Sequence, residues 1–468
     1  MRRKVVPVSR SSTEELGMKA GSRSDEAGGG AGVALPRIQQ AGVAAHDGLS
    51  VLDVLHVVAC VGFIARDCQA ALTLKRASWT DTRLWAPLIN VRYSYTPQGM
   101  TEERHETRLM RECREGSEAA VHRLLGLKAD VDATNCNGAT ALMLASQAGR
   151  VNLVYVLIAA GANVDHANNA GASSLIVASQ NGHEAVVQAL IAAGADVDHA
   201  DNNGDSSLIK ASCNGHVAVL LALIAAGADV DHANNAGASS LIGASLRGHV
   251  AVVHDLIAAG ANVDHAENVG WSSIIIASQN GHEAVVQALI AAGADVDHAE
   301  NVGWSSIIIA SQNGHEAVVH ALIAAGADVD HANNAGASSL IVASQNGHEA
   351  VVHALIAAGA DVDHANNAGA SSLIVASQNG HEAVVHALIA AGADVDHANN
   401  AGASSLIKAS ENGHEAVVHA LIAAGANVHL VCNEGDTALS CATRNGHAEV
   451  VAALAARIAE LAAPEAAE

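Results

Sequence analysis

A glycine returns every 33 residues along most of this chain, at Gly116, Gly149, Gly182, Gly215, Gly248 and onward to Gly446, with no insertion or deletion. A second glycine series, from Gly138 through Gly171 and Gly204 to Gly435, keeps the same step. A period in the range of about 20–50 residues marks a repeat architecture, in which each unit is one supersecondary element. Such a unit cannot bury its apolar face alone, so stacking on its neighbours supplies the core. Compact folds built from non-equivalent segments are thereby set aside.

One unit, residues 334–366, shows what is repeated. Ala335-Gly336-Ala337 reads as a tight turn, with glycine supplying the permissive backbone. Ser338 is placed to cap a short helix carrying Leu340, Ile341 and Ala343 on its apolar side. Asn346-Gly347 ends that helix, because glycine tolerates a left-handed C-terminal cap. A second helix is predicted over His348–Ala358, with Val351, Val352, Leu355 and Ile356 on one face. Gly359-Ala360 closes it, and Asp361-Val362-Asp363-His364 leads as an extended arm into the next turn. Half of the residues are hydrophobic but only 2% are aromatic, a balance of small aliphatics that suits helices packed closely side by side.

The Gly-His, Val-Val and Gly-Ala-Asp-Val elements, recurring in phase, make residues about 103–461 resemble the ankyrin repeat family. The resemblance implies an all-α solenoid with short hairpin turns that binds protein partners. It predicts a charged capping repeat over 103–134, ten repeats over 135–461 and a polar tail over 462–468. The family's Thr-Pro-Leu-His becomes Ser173-Ser-Leu-Ile176 or Ser272-Ser-Ile-Ile275 here, which removes a rigid first helical turn and a polar ladder. The first unit carries Arg108, Arg111, Glu112, Arg114, Glu115 and Glu118, the polar outer face that a terminal unit needs.

The net charge of −24 is unevenly spread: residues 135–468 hold 32 acidic and 6 basic side chains, against 16 and 18 in residues 1–134. Such an acidic array repels phosphate backbones and anionic headgroups, which argues against nucleic acid and membrane surfaces and for a neutral or basic protein partner. The 7 cysteines are scattered and form no Cys-x-x-Cys. That fits a reducing compartment, and with no secretory h-region at the start it suggests a cytoplasmic protein, a nuclear one being the alternative.

Two chemistries invite consideration and fail. His348-Glu-Ala-Val-Val-His353 looks like a zinc-protease signature, but that needs histidines at i and i+4. At i+5 the two are roughly 140° apart around a helix. Histidine ladders on the arms (His331, His364, His397) and second helices (His320, His353, His386, His419) sit on units roughly 8–10 Å apart, too far to share one ion. Ser, Asp and His recur in every inner unit at fixed places, whereas a catalytic site is singular. No cofactor and no enzymatic activity are expected.

The departures from the repeat then become informative. In the family resembled, the residue after the turn glycine and the inner face of the first helix contact partners. Most units carry Ala at that turn position, but two adjacent ones carry Trp271 and Trp304, and others carry Asp205 and Asp436. Exposed tryptophan is enriched at binding hot spots. Together with Ile276 and Ile309, the two rings are expected to form an apolar patch, flanked by Asp205, Lys210, Leu246 and Arg247, with Lys408 and Glu411 further along. The alternative is that each ring lies flat on its neighbouring turn and stabilises the stack.

The N-terminal third reads differently. Residues 1–48, with Gly28-Gly-Gly-Ala-Gly32, have the composition of a disordered segment. Within 49–102, an apolar run from Leu52 to Val61 is followed by Trp79-Thr-Asp-Thr-Arg83-Leu84-Trp85, and this small helical segment is weakly similar to an F-box over residues 50–90. That similarity implies docking to a ubiquitin-ligase scaffold subunit, with the repeats selecting the substrate. The competing reading is a helical extension that packs on the first repeat.

Overall fold

The computed structural model describes residues 106–462, all within one compact unit, so the disordered and F-box-like readings of residues 1–102 and the end of the tail lie outside the described residues. Twenty-two helices follow one another in pairs, and among the described residues no strand is longer than a single bridge. The first pair, α1 (Arg108–Glu115) and α2 (Glu118–Gly126), is the charged unit. Ten pairs follow: α3 (Ala141–Gln147) with α4 (Val151–Ala159), α5 (Ser174–Gln180) with α6 (Glu184–Ala192), α7 (Ser207–Cys213) with α8 (Val217–Ala225) and α9 (Ser240–Arg247) with α10 (Val250–Ala258). Then come α11 (Ser273–Gln279) with α12 (Glu283–Ala291), α13 (Ser306–Asn313) with α14 (Glu316–Ala324) and α15 (Ser339–Asn346) with α16 (Glu349–Ala357). The last are α17 (Ser372–Asn379) with α18 (Glu382–Ala390), α19 (Ser405–Asn412) with α20 (Glu415–Ala423) and α21 (Ala438–Asn445) with α22 (Ala448–Ala462). Odd-numbered helices pack on odd-numbered ones and even on even, giving an inner and an outer layer with the core between them.

Local chemistry explains each boundary. Ser338 caps α15, its Oγ accepting from the Ile341 amide at 3.5 Å, and Gly347 ends it in the left-handed region at φ 74°. Leu340, Ile341 and Ala343 of the inner helix and Val351, Val352 and Leu355 of the outer helix are fully buried. His348 is the N-terminal cap of α16, so the helix begins one residue later than the sequence pattern suggests. The arm is not extended throughout: Asp361 Oδ1 accepts from the Asp363 amide at 3.0 Å, closing a small turn before Ala365 pairs with Ser371 in an antiparallel bridge. Where the family places proline, Ser339 donates from Oγ to the Val329 carbonyl at 2.8 Å, a bond made in this unit while the equivalent hydroxyls of Ser306 and Ser372 on either side are buried without a partner.

The arm histidines and those that precede the outer helices link the units, whereas His320, His353, His386 and His419 face a glutamate on their own helix. His364 on one arm reaches the Gly336 carbonyl of the turn before it at 2.9 Å, and His381 reaches the Gln345 carbonyl at the end of the previous inner helix at 3.0 Å. A carbonyl only accepts, so Nε2 carries the proton in both series. Asn367 Nδ2 donates to the Asn334 carbonyl at 2.9 Å, and the Asp394 amide donates to Asp363 Oδ1 at 2.8 Å. The same links repeat along the array with few exceptions.

Candidate functional site

Each turn tip is organised by an acceptor at its start. In most units this is asparagine: Asn333 Oδ1 accepts from the Ala335 and Ala337 amides, each at 3.0 Å. In the tryptophan unit Glu300 replaces it, with Oε2 accepting from Val302 at 3.0 Å and Oε1 from Trp304 at 3.1 Å. Burial pushes the Glu300 carboxyl above the ordinary glutamate range, although these two amides act to hold it down. Both tryptophan units share the Glu-Asn-Val-Gly-Trp sequence.

Trp271 and Trp304 are half-buried rather than exposed, and Trp304 packs against the core. Ile276 and Ile309 retain only 7% and 3% of their surface, so they support the patch from below and do not form it. Each lies in the first turn and a half of an inner helix, where the two flanking units cover it. The accessible apolar surface is therefore the outer side of the two rings together with the exposed Val302.

The charged flank also differs from expectation. Asp205 is 1% exposed and belongs to an internal ion cluster. Lys210 Nζ donates to Asp205 Oδ2 at 2.6 Å and lies 3.2 Å from Asp201 Oδ2, while Asn234 Nδ2 of the next turn donates to Asp205 Oδ1 at 2.7 Å. Burial works against the Lys210 charge, but the hydrogen bond to Asp205 and the nearness of both carboxylates outweigh it, leaving its pKa above 10.5. Asp201 and Asn234 were not singled out by sequence. The available signal was that one unit departs from the repeat at three places at once, with Asp201 for Asn, Asp205 for Ala and Lys210 for Val.

Leu246 and Arg247 are exposed at the C-terminal end of α9. Next to them lies a further departure. A Cβ on Gly243 would stand 2.5 Å from Cys213 Sγ, so the thiol fills the space that the other units give to a side chain. Burial pushes the Cys213 thiol up to about 11, with Asp205 adding to the rise and Lys210 and Arg247 opposing it. A thiol so placed stays protonated and is a poor nucleophile. Far along the array, Lys408 pairs with Glu411 at 3.0 Å. Arg444 pairs with Asp436, whose carboxyl that hydrogen bond and one from Ser440 hold below the ordinary aspartate range.

Among the described residues no three His, Cys, Asp or Glu side chains converge as a metal site. No described helix is long and apolar enough to cross a membrane. What the geometry offers is a row of turn tips and inner helices that departs from uniformity at the internally paired Asp201–Asp205–Lys210 cluster with Cys213 against Gly243, and at two more accessible places. One is the Trp271–Trp304 pair with its neighbour Arg247, and the other is the Lys408–Glu411 and Asp436–Arg444 end.

No curated protein matches the chain. The family described as ankyrin repeats (3 copies) matches in overlapping stretches, 109–201, 185–267, 241–333, 274–366, 307–399 and 373–463, which together span far more than half of the sequence. With the phase of its turns, helix pairs and inter-unit bonds in agreement, the chain belongs to the ankyrin repeat family.

Proposed function

We propose that the array is a non-catalytic scaffold of the cytoplasm or nucleus whose turn tips and inner helices hold a partner protein. Ankyrin repeats are in general protein–protein interaction modules. The observation that carries the reading here is the one aromatic departure among the turn tips of the row. Two adjacent tryptophans, Trp271 and Trp304, stand half-exposed where other units have Ala or Asp. Aromatic rings held on a rigid base are strong anchors, since little conformational entropy is lost when a partner covers them. Leu246 and Arg247 extend this surface towards the N-terminal end, and Lys408 with Glu411 offers a second, charged contact. Asp205 and Lys210 act by stiffening the turn beside it, because their charges are already paired. The acidic balance of the array favours a partner with a neutral or basic surface. A ubiquitin-ligase adaptor would use residues 50–90 for its second contact, and nothing in the array bears on that.

The test replaces Trp271 and Trp304 with alanine together. Recovery of partners on the immobilised chain and the urea midpoint are then compared with the unaltered protein. Loss of specific partners at an unchanged midpoint is expected. A lowered midpoint with partners fully retained would show that the rings serve the stack alone.

A further inference from the structure

One position at the middle of the outer helices divides the units. It carries Gln188 in α6 and Gln287 in α12, but His320, His353, His386 and His419 in α14, α16, α18 and α20, four helices that follow one another along the outer layer. In all six a glutamate opens the helix four residues earlier, so the two side chains share a face. The two kinds of pair close differently. Gln188 Nε2 donates to Glu184 Oε1 at 2.9 Å, and Gln287 Nε2 to Glu283 Oε1 at 2.8 Å. Each imidazole instead holds Nε2 at 3.7 Å from the glutamate Oε1, the same gap in all four helices and longer than a hydrogen bond. Two ligands of one tetrahedral ion, each about 2.0–2.1 Å from it, lie roughly 3.4 Å apart. The observed gap is close to that spacing.

We propose that each of the four Glu–His pairs binds one exchangeable divalent ion of the zinc class, with water in the remaining coordination positions. These imidazoles differ from the arm and loop histidines, which direct Nε2 at a carbonyl, as His364 does at Gly336 and His381 at Gln345. Here Nε2 faces a carboxylate, and both members of each pair are more than half exposed, so water can complete the ion's shell. An imidazole nitrogen with a carboxylate oxygen suits zinc, copper or nickel, whereas magnesium and calcium favour oxygen alone. The glutamate stands at the first position of its helix, where the positive end of the helix dipole favours the charged carboxylate. Successive helices lie roughly 8–10 Å apart, so each pair holds its own ion and none is shared. That agrees with the lack of any three-ligand cluster among the described residues. Two protein ligands make an exchangeable site, since a structural zinc site is closed by four. The 32 acidic against 6 basic side chains of residues 135–468 draw cations towards the array.

The experiment is equilibrium dialysis of the full chain against zinc at neutral pH, with free zinc raised until uptake levels off. In one variant His320, His353, His386 and His419 all become glutamine, the residue that α6 and α12 carry there, and circular dichroism should be unchanged. This variant should take up about four fewer ions per chain than the unaltered protein. A second variant, with Glu316, Glu349, Glu382 and Glu415 changed to glutamine, should lose the same ions. In the opposite direction, Gln287→His sets an imidazole four residues from Glu283 and should add about one ion. Equal uptake by the unaltered chain and the histidine variant would overturn the proposal. So would full uptake by the glutamate variant, which would mean that the imidazoles bind alone. No gain from Gln287→His would count against it in the same way, whatever the fold of the other variants.

Discussion

The ion cluster around Lys210 makes the sharpest demand on stability. Each of its charged members stands where another unit carries a neutral residue: Val342 for Lys210, Ala337 for Asp205 and Asn333 for Asp201. Lys210→Val removes the only cation from two carboxylates, one of them 1% exposed and the other 8%. Breaking a fully buried pair costs about 3–5 kcal/mol. The lysine side chain keeps 20% of its surface, so water screens part of the loss, and a cost of about 2–3 kcal/mol is expected. Asp205→Ala is milder, at about 1–2 kcal/mol, because Asp201 still faces the ammonium and the Asn234 amide can turn to water. The double variant returns two of the three positions to the ordinary unit and leaves Asp201 with its backbone partners, the Asn203 and residue-205 amides, so it should come within about 1 kcal/mol of the unaltered chain, since replacing a buried pair of charges by apolar groups is often neutral. A coupling of at least about 2 kcal/mol between the two sites follows. Urea unfolding followed at 222 nm gives the energies, and amide exchange across Ser207–Cys213 localises them, because a repeat array need not unfold as one unit. A double variant no more stable than Lys210→Val alone would refute the reasoning.

Three further outcomes follow from contacts already described. Gly359→Ala meets only the backbone penalty of its φ of +89°, about 1–2 kcal/mol, because nothing stands within 4 Å of a new Cβ. Gly347→Ala has in addition the His381 ring at 2.6 Å, so its loss in the same urea assay should be the larger by about 1 kcal/mol, the worth of the displaced hydrogen bond. His348→Ala, which removes a 3.0 Å bond to the Gln312 carbonyl, should lower stability by about 1 kcal/mol, and an unchanged midpoint would show that this ladder is incidental. Glu300→Asn installs the usual turn residue. Burial raises the Glu300 carboxyl from its ordinary 4.5 in the folded chain, so its favourable contribution is full below that pH and is lost as pH rises through the raised value. The variant should therefore gain on the unaltered chain between pH 4 and pH 7, as read by thermal melts across that range, and a pH-independent difference would contradict the burial argument.

The sequence made the fold legible because its rules are local. Ser338 caps, Gly347 turns left-handed and Val351, Val352 and Leu355 align on one face, whatever the neighbours do. The candidate row of turn tips and inner helices was legible only in part, because exposure depends on the adjacent units. Ile276 and Ile309 occupy the surface row by phase, yet the flanking helices cover them. Asp205 sits at a turn tip that reads as solvent-facing, but Lys210 reaches back to it from five residues on and Asn234 crosses to it from the next turn. The arm and loop histidines gave no hint of their partners, because the carbonyls they bind lie 28 or 36 residues earlier. Joint departure of several positions within one unit proved the more informative signal, as in Asp201 with Asp205 and Lys210, or Glu300 with Val302 and Trp304.

The bonds from His364, His381, Asn367 and Asp363 to the adjoining turn, helix or arm recur at successive seams with nearly the same distances. One joint therefore fits another, and a gene segment encoding a single unit could be gained or lost in the middle without creating a mismatched surface. For such a protein, chain length is an adjustable dimension. Each copy added between the Trp271–Trp304 pair and the Lys408–Glu411 pair moves the two further apart by one thickness of a helix pair, so copy number sets their spacing.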